Sequence, residues 1–269
     1  MFDLDAYLER IGLEGRPSIA QVHRAHLTSI PFENLDPHCG IPVSLALEDL
    51  EQKLVLRRRG GYCFEQNLLL KAALEALGAE VDMLLARVRV GAPPGVTRPR
   101  SHLVLRVRDG GSDWHADVGF GLGSPLEPLP FGPTGEQVQA GWRFRVVEDG
   151  PELVLQTAEA DDWLDVYAFL PDPVPLVDLQ TSNWFTATYP RSPFVTGVIV
   201  STHAHDGART MLRDWDGLAL KEQTPTGTTT TPVQRDALPE LLATRFSLPG
   251  FALDAGERLV RVAAGAIDQ

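Results

Sequence analysis

Ser101-His102-Leu103-Val104-Leu105-Arg106-Val107-Arg108-Asp109-Gly110-Gly111-Ser112-Asp113-Trp114-His115-Ala116-Asp117-Val118-Gly119-Phe120 reads as two strands joined by a tight turn. Leu103, Leu105 and Val107 alternate along the first strand, and Trp114, Ala116 and Val118 along the second. This is the period of two that marks a half-buried hairpin, and Asp109-Gly110 is a hairpin turn signal. A two-residue loop there sets His102 directly against Asp117 and Arg106 against Asp113. A four-residue loop of residues 109–112 shifts the partners but keeps His102 and Asp117 on one face, because a slip of two leaves each side chain on its own side. Opposed residues have Cβ atoms about 4.5–5.5 Å apart, so an imidazole and a carboxylate come within reach of each other. Asp117 lies between Ala116 and Val118, and a carboxylate in apolar surroundings needs a partner. The plain alternative is a surface His–Asp pair, which is worth little. His115 shares the face and is a rival base, but the carboxylate favours His102.

On either side of the hairpin the period changes. Upstream, Leu4, Tyr7, Leu8 and Ile11 recur at helical spacing and Gly12 ends the run. Ser18 can cap a second helix through Val22, Ala25 and Leu27, which stops before Pro31. Residues 44–56 read as a third, with Leu47, Leu50, Leu54 and Val55 on its apolar face. A fourth follows Gly60-Gly61 through Leu69, Ala72, Ala73 and Leu77 to Gly78. Residues 81–90, 142–148 and 152–156 read as strands, and Asp149-Gly150 as a turn. Residues 124–133 and 171–175 are proline-rich connections. Beyond them, residues 194–201, 210–212 and 218–220 read as strands and 238–246 as a helix. Residues 224–231, broken by Pro225 and Gly227, read as a polar loop. No internal repeat is visible.

A chain of 269 residues with 43% hydrophobic and 22% charged residues is an ordinary globular composition with ample sequence for a core. Its net charge of -12 argues against nucleic-acid binding, which needs a basic face. The Arg57-Arg58-Arg59 run is either a solvated helix end or a local positive potential for an anionic substrate. No apolar stretch approaches the roughly 20 residues that span a bilayer. The acidic N-terminus lacks a signal-peptide pattern, which implies a cytoplasmic enzyme with Cys39 and Cys63 reduced.

Cys63 is the candidate nucleophile. A thiol attacks as thiolate, and a helix N-terminus or a neighbouring imidazolium stabilises that anion. Cys63 follows Gly60-Gly61-Tyr62 and opens a helical pattern, although most lone cysteines are simply small buried hydrophobes. Gly119-Phe120-Gly121-Leu122-Gly123 follows a strand but lacks dinucleotide-binding spacing. It reads as a glycine-rich loop beside Asp117, with backbone donors for a ligand. His203, His205 and Asp206 lack a diagnostic metal spacing and read as a polar loop. His38 and Cys39 read as a turn after Asp36-Pro37, so no metal is expected.

Five blocks, taken in order, give the sequence a specific resemblance. Arg59-Gly60-Gly61-Tyr62-Cys63-Phe64-Glu65-Gln66-Asn67 resembles the active-site motif of the arylamine N-acetyltransferase family. Pro31-Phe32-Glu33-Asn34-Leu35 resembles its N-terminal signature. Ser101-His102-Leu103-Val104-Leu105 and Asp117-Val118-Gly119-Phe120-Gly121 are similar to its histidine and aspartate segments. Ser182-Asn183-Trp184-Phe185, followed by Pro190-Arg191-Ser192-Pro193-Phe194, resembles a further block. Tyr62 stands where the family often has tryptophan, and the C-terminal stretch matches only loosely.

The resemblance implies an α+β fold: an N-terminal helical bundle (residues 1–82), a middle antiparallel β-barrel (83–190) and a C-terminal α/β lid (191–269). The core would be akin to that of cysteine proteases and transglutaminases. It also implies acetyl-CoA-dependent N-acetylation of arylamines, hydrazines or N-hydroxyarylamines through an acetyl-cysteine intermediate. Cys63, His102 and Asp117 would be catalytic, Glu33 and Arg59 would brace the cysteine loop, and Phe120, Gly121 and Gly123 would contact substrate. CoA phosphates would meet Arg or Lys side chains or glycine-loop N–H groups. A macrolactam-forming amide synthase of the same family would share the three catalytic residues. A thiol hydrolase is a third reading. Neither nucleic acid nor membrane is an expected partner, and a homo-oligomer is compatible with the sequence.

Overall fold

A computed structural model of the chain describes residues 2–93, 95–159, 162–214 and 216–262. The helical N-terminal region begins with Leu4–Ile11, capped by the Asp3 side chain and closed by left-handed Gly12. Ile19–Ser29 follows, with a reciprocal Ser18–Gln21 capping box that satisfies two orphan N–H groups at its start. The third helix differs from the expected regular one. Only Leu47–Leu50 is α-helical, and Glu51–Leu56 widens into π turns. The fourth, Cys63–Ala76, starts at the cysteine itself.

An eight-stranded antiparallel sheet curls into a nearly closed barrel. Its spatial order is Leu129–Pro130, Ser112–Ala116, Arg100–Asp109, Glu80–Val88, Asp162–Phe169, Glu152–Glu159, Trp142–Asp149 and Gln137–Gln139. The central hairpin takes the register of the four-residue alternative. Asp109 pairs with Ser112, Arg108 with Asp113 and Arg106 with His115, so direct opposition of His102 to Asp117 is corrected to a diagonal relation. The turn residues explain the choice. Gly110 and Gly111 both have positive φ, 57° and 81°, which suits the primed turns that match strand twist.

One face of this hairpin, with Leu103, Leu105, Val107, Ala116 and Val118, packs against the helices. Val104 on the opposite face joins Phe144, Val166, Tyr167 and Phe169 in a second cluster inside the barrel. Residues 162–169 were not recognisable as a strand, because Val166, Tyr167, Ala168 and Phe169 are all buried and show no alternation. Leu176–Thr188 is a further helix, which buries Leu179, Asn183 and Thr186.

A second, five-stranded antiparallel sheet runs Phe32–Glu33, Ile199–His203, Arg209–Asp214, Leu218–Thr224 and Gly227–Pro232. Residues 194–201 are therefore not one strand: Pro193–Thr196 is a helical turn and the strand starts at Ile199. The expected polar loop at 224–231 is the tip and return strand of a hairpin, its threonines exposed along the sheet edge. On its buried side this sheet packs against Leu238–Arg245. The N-terminal region supplies the sheet's edge strand, and Asn34 fixes the joint. Its amide donates to the Phe194 and Gly197 carbonyls at 2.9 and 2.7 Å and accepts from the Ile199 N–H at 2.7 Å. Two of the five sequence blocks, over 150 positions apart, thus dock on each other. Among the described residues no helix is long and apolar enough to cross a membrane.

Candidate active site

Cys63 opens its helix in a fixed setting. The preceding loop is tied to the second sheet by Glu33 N–H to Gly61 O at 3.0 Å. The Tyr62 hydroxyl donates to Asn183, whose amide donates to the Val43 carbonyl at 3.1 Å. Cys63 is a free, buried cysteine, and its Sγ faces the Ser101 carbonyl at 3.7 Å.

A chain of buried charges lies behind this loop. Arg59 donates to Glu33 Oε1 from Nε at 2.9 Å and from Nη2 at 2.6 Å. Its Nη2 also reaches Asp36 at 2.9 Å. Lys53 joins Asp36 to Glu65, both at 2.7 Å, and the Tyr62 N–H donates to Glu65 Oε2 at 3.1 Å. Three carboxylates thus face two cations with little water to screen them. Burial, with Glu33 adding to it, pushes the Glu65 carboxyl up to about 7 against the pull of Lys53. Lys53 and Asp36 are members that the sequence did not single out.

The hairpin brings the other two residues to Cys63. His102 Nε2 lies 2.8 Å from Asp117 Oδ2, and the Cys63 side chain acts on the same imidazole. Burial opposes the imidazolium, but the Asp117 charge and hydrogen bond, with Cys63 acting in the same direction, raise the His102 pKa to about 10. Burial would raise Asp117 as well. The His102 charge and its hydrogen bonds instead hold it below the ordinary carboxylate range.

Asp117 has three donors around it. Besides His102, its Oδ1 accepts from Asn67 Nδ2 at 2.9 Å and from the Gly119 N–H at 2.8 Å. The Tyr167 ring packs against His102, with centroids 4.9 Å apart. The Tyr167 hydroxyl is hydrogen-bonded to His115 Nε2 at 2.7 Å. Burial lowers His115 to about 4, so the rival base is neutral, with its Nε2 engaged by Tyr167. His23 receives the Asp117 N–H on Nε2 at 3.1 Å and donates from Nδ1 to the Leu126 carbonyl at 3.1 Å. Its burial lowers it to about 4, in keeping with that neutral tautomer.

Phe120, next along the glycine loop, stands edge-on to His102 with ring centroids 5.0 Å apart. Its N–H is held by Ser124 Oγ at 3.1 Å. Gly121 and Gly123 form one 3-10 turn, and a side chain on Gly123 would collide with the Phe120 ring. His203 is buried at a strand end instead of in a loop, whereas His205 is exposed. Among the described residues no group of three or more His, Cys, Asp or Glu could hold a metal ion.

A family model described as N-acetyltransferase matches residues 17–251. The arylamine N-acetyltransferase of Mycolicibacterium smegmatis is 43% identical over 223 residues, covering 78% of this chain and 80% of that one. The chain belongs to the arylamine N-acetyltransferase family. Another arylamine N-acetyltransferase, from Escherichia coli, is 33% identical over 217 residues, 79% of this chain and 77% of its own. The solved structure of the Mycobacterium marinum arylamine N-acetyltransferase in complex with CoA superposes with a TM-score of 0.86 at 37% identity, over 91% of this chain and 93% of that one. The family match takes in both sheets and all five charged residues of the cluster behind Cys63.

The sequence did not single out Asn67, Tyr167 and His23. Asn67 carried a readable signal, since it lies four residues after Cys63 and so on the same helix face. Tyr167 lies in a buried strand end without alternation, and His23 among the apolar positions of a helix.

Proposed function

We propose that the chain is an acyltransferase that moves acetyl from acetyl-CoA to the nitrogen of an arylamine, hydrazine or N-hydroxyarylamine, with Cys63 as nucleophile, His102 as base and acid, and Asp117 as the group that orients it. The carrying observation is the buried His102–Asp117 pair, with the buried Cys63 side chain acting on the same imidazole, in a chain of this family. In this reading residues 1–82 supply the nucleophile, 83–190 the base with its carboxylate, and 191–269 the cover.

The chemistry follows from that arrangement. His102 takes the Cys63 proton, giving a thiolate–imidazolium pair that Asp117 stabilises. The thiolate attacks the thioester carbonyl, and N–H groups of the helix's first turn face the tetrahedral oxyanion. Collapse expels CoA, its sulfur protonated by His102, and leaves acetyl-Cys63. An arylamine is weakly basic and therefore neutral near pH 7. Its nitrogen attacks the acetyl group while His102 removes a proton, and the cysteine leaves. Arg59, Glu33 and their charged neighbours hold the loop that aims the sulfur. Phe120, Gly121 and Gly123 line the acceptor's approach.

The deciding experiment is intact-protein mass spectrometry after mixing with acetyl-CoA, followed by a chase with an arylamine panel. One acetyl on Cys63, discharged by an amine and not by water alone, is the expected result. Amide formation with no adduct on Cys63 would overturn the covalent route, and discharge by water alone would favour the hydrolase.

A further inference from the structure

Beneath the glycine turn, three side chains with orphaned polar atoms meet on one face of the second sheet. Ser201 and His203 are two positions apart on their strand, and Arg209 pairs directly opposite His203. None of the three is more than 6% exposed. Ser201 Oγ, His203 Nε2 and Arg209 Nε all lack a hydrogen-bond partner.

Each residue touches a different part of the same turn. Ser201 Oγ lies 3.2 Å from where a Cβ on Gly121 would stand. His203 shares a hydrogen bond with the Leu122 backbone. Arg209 Nη2 reaches the Ser124 carbonyl at a long 3.4 Å. The guanidinium lies over the Trp142 ring at 3.8 Å, and no carboxylate pairs with it among the described residues. A buried cation in that position is costly unless something negative answers it. A water could bridge two of the orphan atoms but would not balance the charge. An oxyanion could accept from the guanidinium and the serine hydroxyl, and it would favour a proton on His203 Nε2.

We propose that Ser201, His203 and Arg209 form an oxyanion subsite beneath the 121–124 turn that takes the carboxylate or phosphate of a substrate. The naming of the substrates rests on the acetyl-transfer reading above. Two sources offer the group: the phosphates of CoA and a carboxylate on the arylamine. The turn starts beside the nucleophile, since a Cβ on Gly119 would lie 2.6 Å from Cys63 Cα.

Turnover of acetyl-CoA and aniline by the wild-type enzyme comes first; its absence would defeat the acetyl-transfer reading and leave the subsite to the anion titration below. In Arg209→Gln, kcat/KM is compared for acetyl-CoA against S-acetylpantetheine, with aniline as acceptor. It is then compared for 4-aminobenzoate against aniline, with acetyl-CoA as donor. A fall of about tenfold in the first ratio assigns the phosphate, and the same fall in the second assigns the carboxylate. Unchanged ratios in both comparisons overturn the proposal. If Arg209→Gln does not fold, sulfate is titrated into wild-type protein and Ser201→Ala, with the His203 ring observed by NMR. A saturable shift in the wild type, weakened in Ser201→Ala, supports the subsite, and no saturable shift defeats it.

Discussion

His102 Nε2 stands 2.8 Å from Asp117 Oδ2, and the two side chains are 3% and 0% exposed. Each therefore sets the other's charge. His102 is raised from 6.5 to about 10 despite its burial, by the Asp117 charge and its hydrogen bonds. Its contribution to stability is complete below pH 6.5 and is lost as the pH climbs through 10. Asp117 is lowered from 3.8, burial notwithstanding, chiefly by His102. Its contribution is present above 3.8 and is lost as the pH falls through its lower folded value. Both are in force between about pH 4 and 6.5. In Asp117→Asn we expect the His102 pKa to drop below 6.5, since burial then acts unopposed. Acetylation should fall about a hundredfold or more, and the Tm deficit should be greatest near pH 5 to 6 and shrink toward pH 10. Rates of Cys63 alkylation against pH test this directly: a profile identical to wild type would remove Asp117 from the mechanism.

The diagonal placement of this pair also shows how far the sequence could be read. Face is a matter of parity, and parity survived the choice of loop length, so His102 and Asp117 were legible as neighbours. Register was not, because it depended on whether the loop was Asp109-Gly110 or the four residues 109–112, and the structure takes the latter register with Gly110 and Gly111 at positive φ. The support around the pair was least legible. Tyr167 lies in a continuously buried run without alternation, and His23 acts through backbone groups of residues 117 and 126, about a hundred positions away. Such contacts arise only once the helices pack on the barrel. The edge strand at Phe32–Glu33 is similar, since two residues carry no periodicity.

Asn67 works through both ends of its amide. Its Nδ2 donates to Asp117 Oδ1 and, at 2.7 Å, to the Leu103 carbonyl, while its Oδ1 accepts from the Val118 N–H at 3.0 Å. Asn67→Leu leaves those buried groups unanswered, at a cost of about 1–3 kcal/mol each in the worst case. We expect a Tm lower by several degrees and kcat reduced about tenfold or more, with the acid limb of the alkylation profile displaced upward as Asp117 loses a donor. Chemical denaturation together with the alkylation profile gives both readouts. A loss of stability with an unmoved profile would make Asn67 a fold residue alone.

Arg59 answers two carboxylates, Glu33 and Asp36, at 2.6 and 2.9 Å in a nearly dry setting. Removing it strands negative charge that Lys53 alone must balance. Arg59→Met is expected to cost about 3–5 kcal/mol, as for other buried pairs broken on one side. Glu33→Gln combined with Arg59→Met should recover part of that loss, because the double variant removes the stranded charge along with its partner. Urea unfolding of the two single variants and the double variant completes the cycle. Strict additivity would show that the pair is not coupled.

Gly119 is where the two halves of the site touch. A Cβ there would stand 2.6 Å from Cys63 Cα and 3.0 Å from Cys63 O. Neither is a movable side-chain tip, so the loop and the helix start would have to separate. The Gly119 N–H also donates to Asp117 Oδ1, so the same displacement pulls on the carboxylate. Gly119→Ala is expected to cost about 1–3 kcal/mol from overpacking and to lower kcat by about a hundredfold, since a 1 Å misplacement of reacting groups has that effect. Gly110→Ala is the control. It has positive φ but nothing within 4 Å of its Cβ, so it should lose stability through turn strain with little change in kcat. If the two variants lost activity in proportion to stability, the close approach of residues 119 and 63 would have no separate role in aligning the thiol with its base.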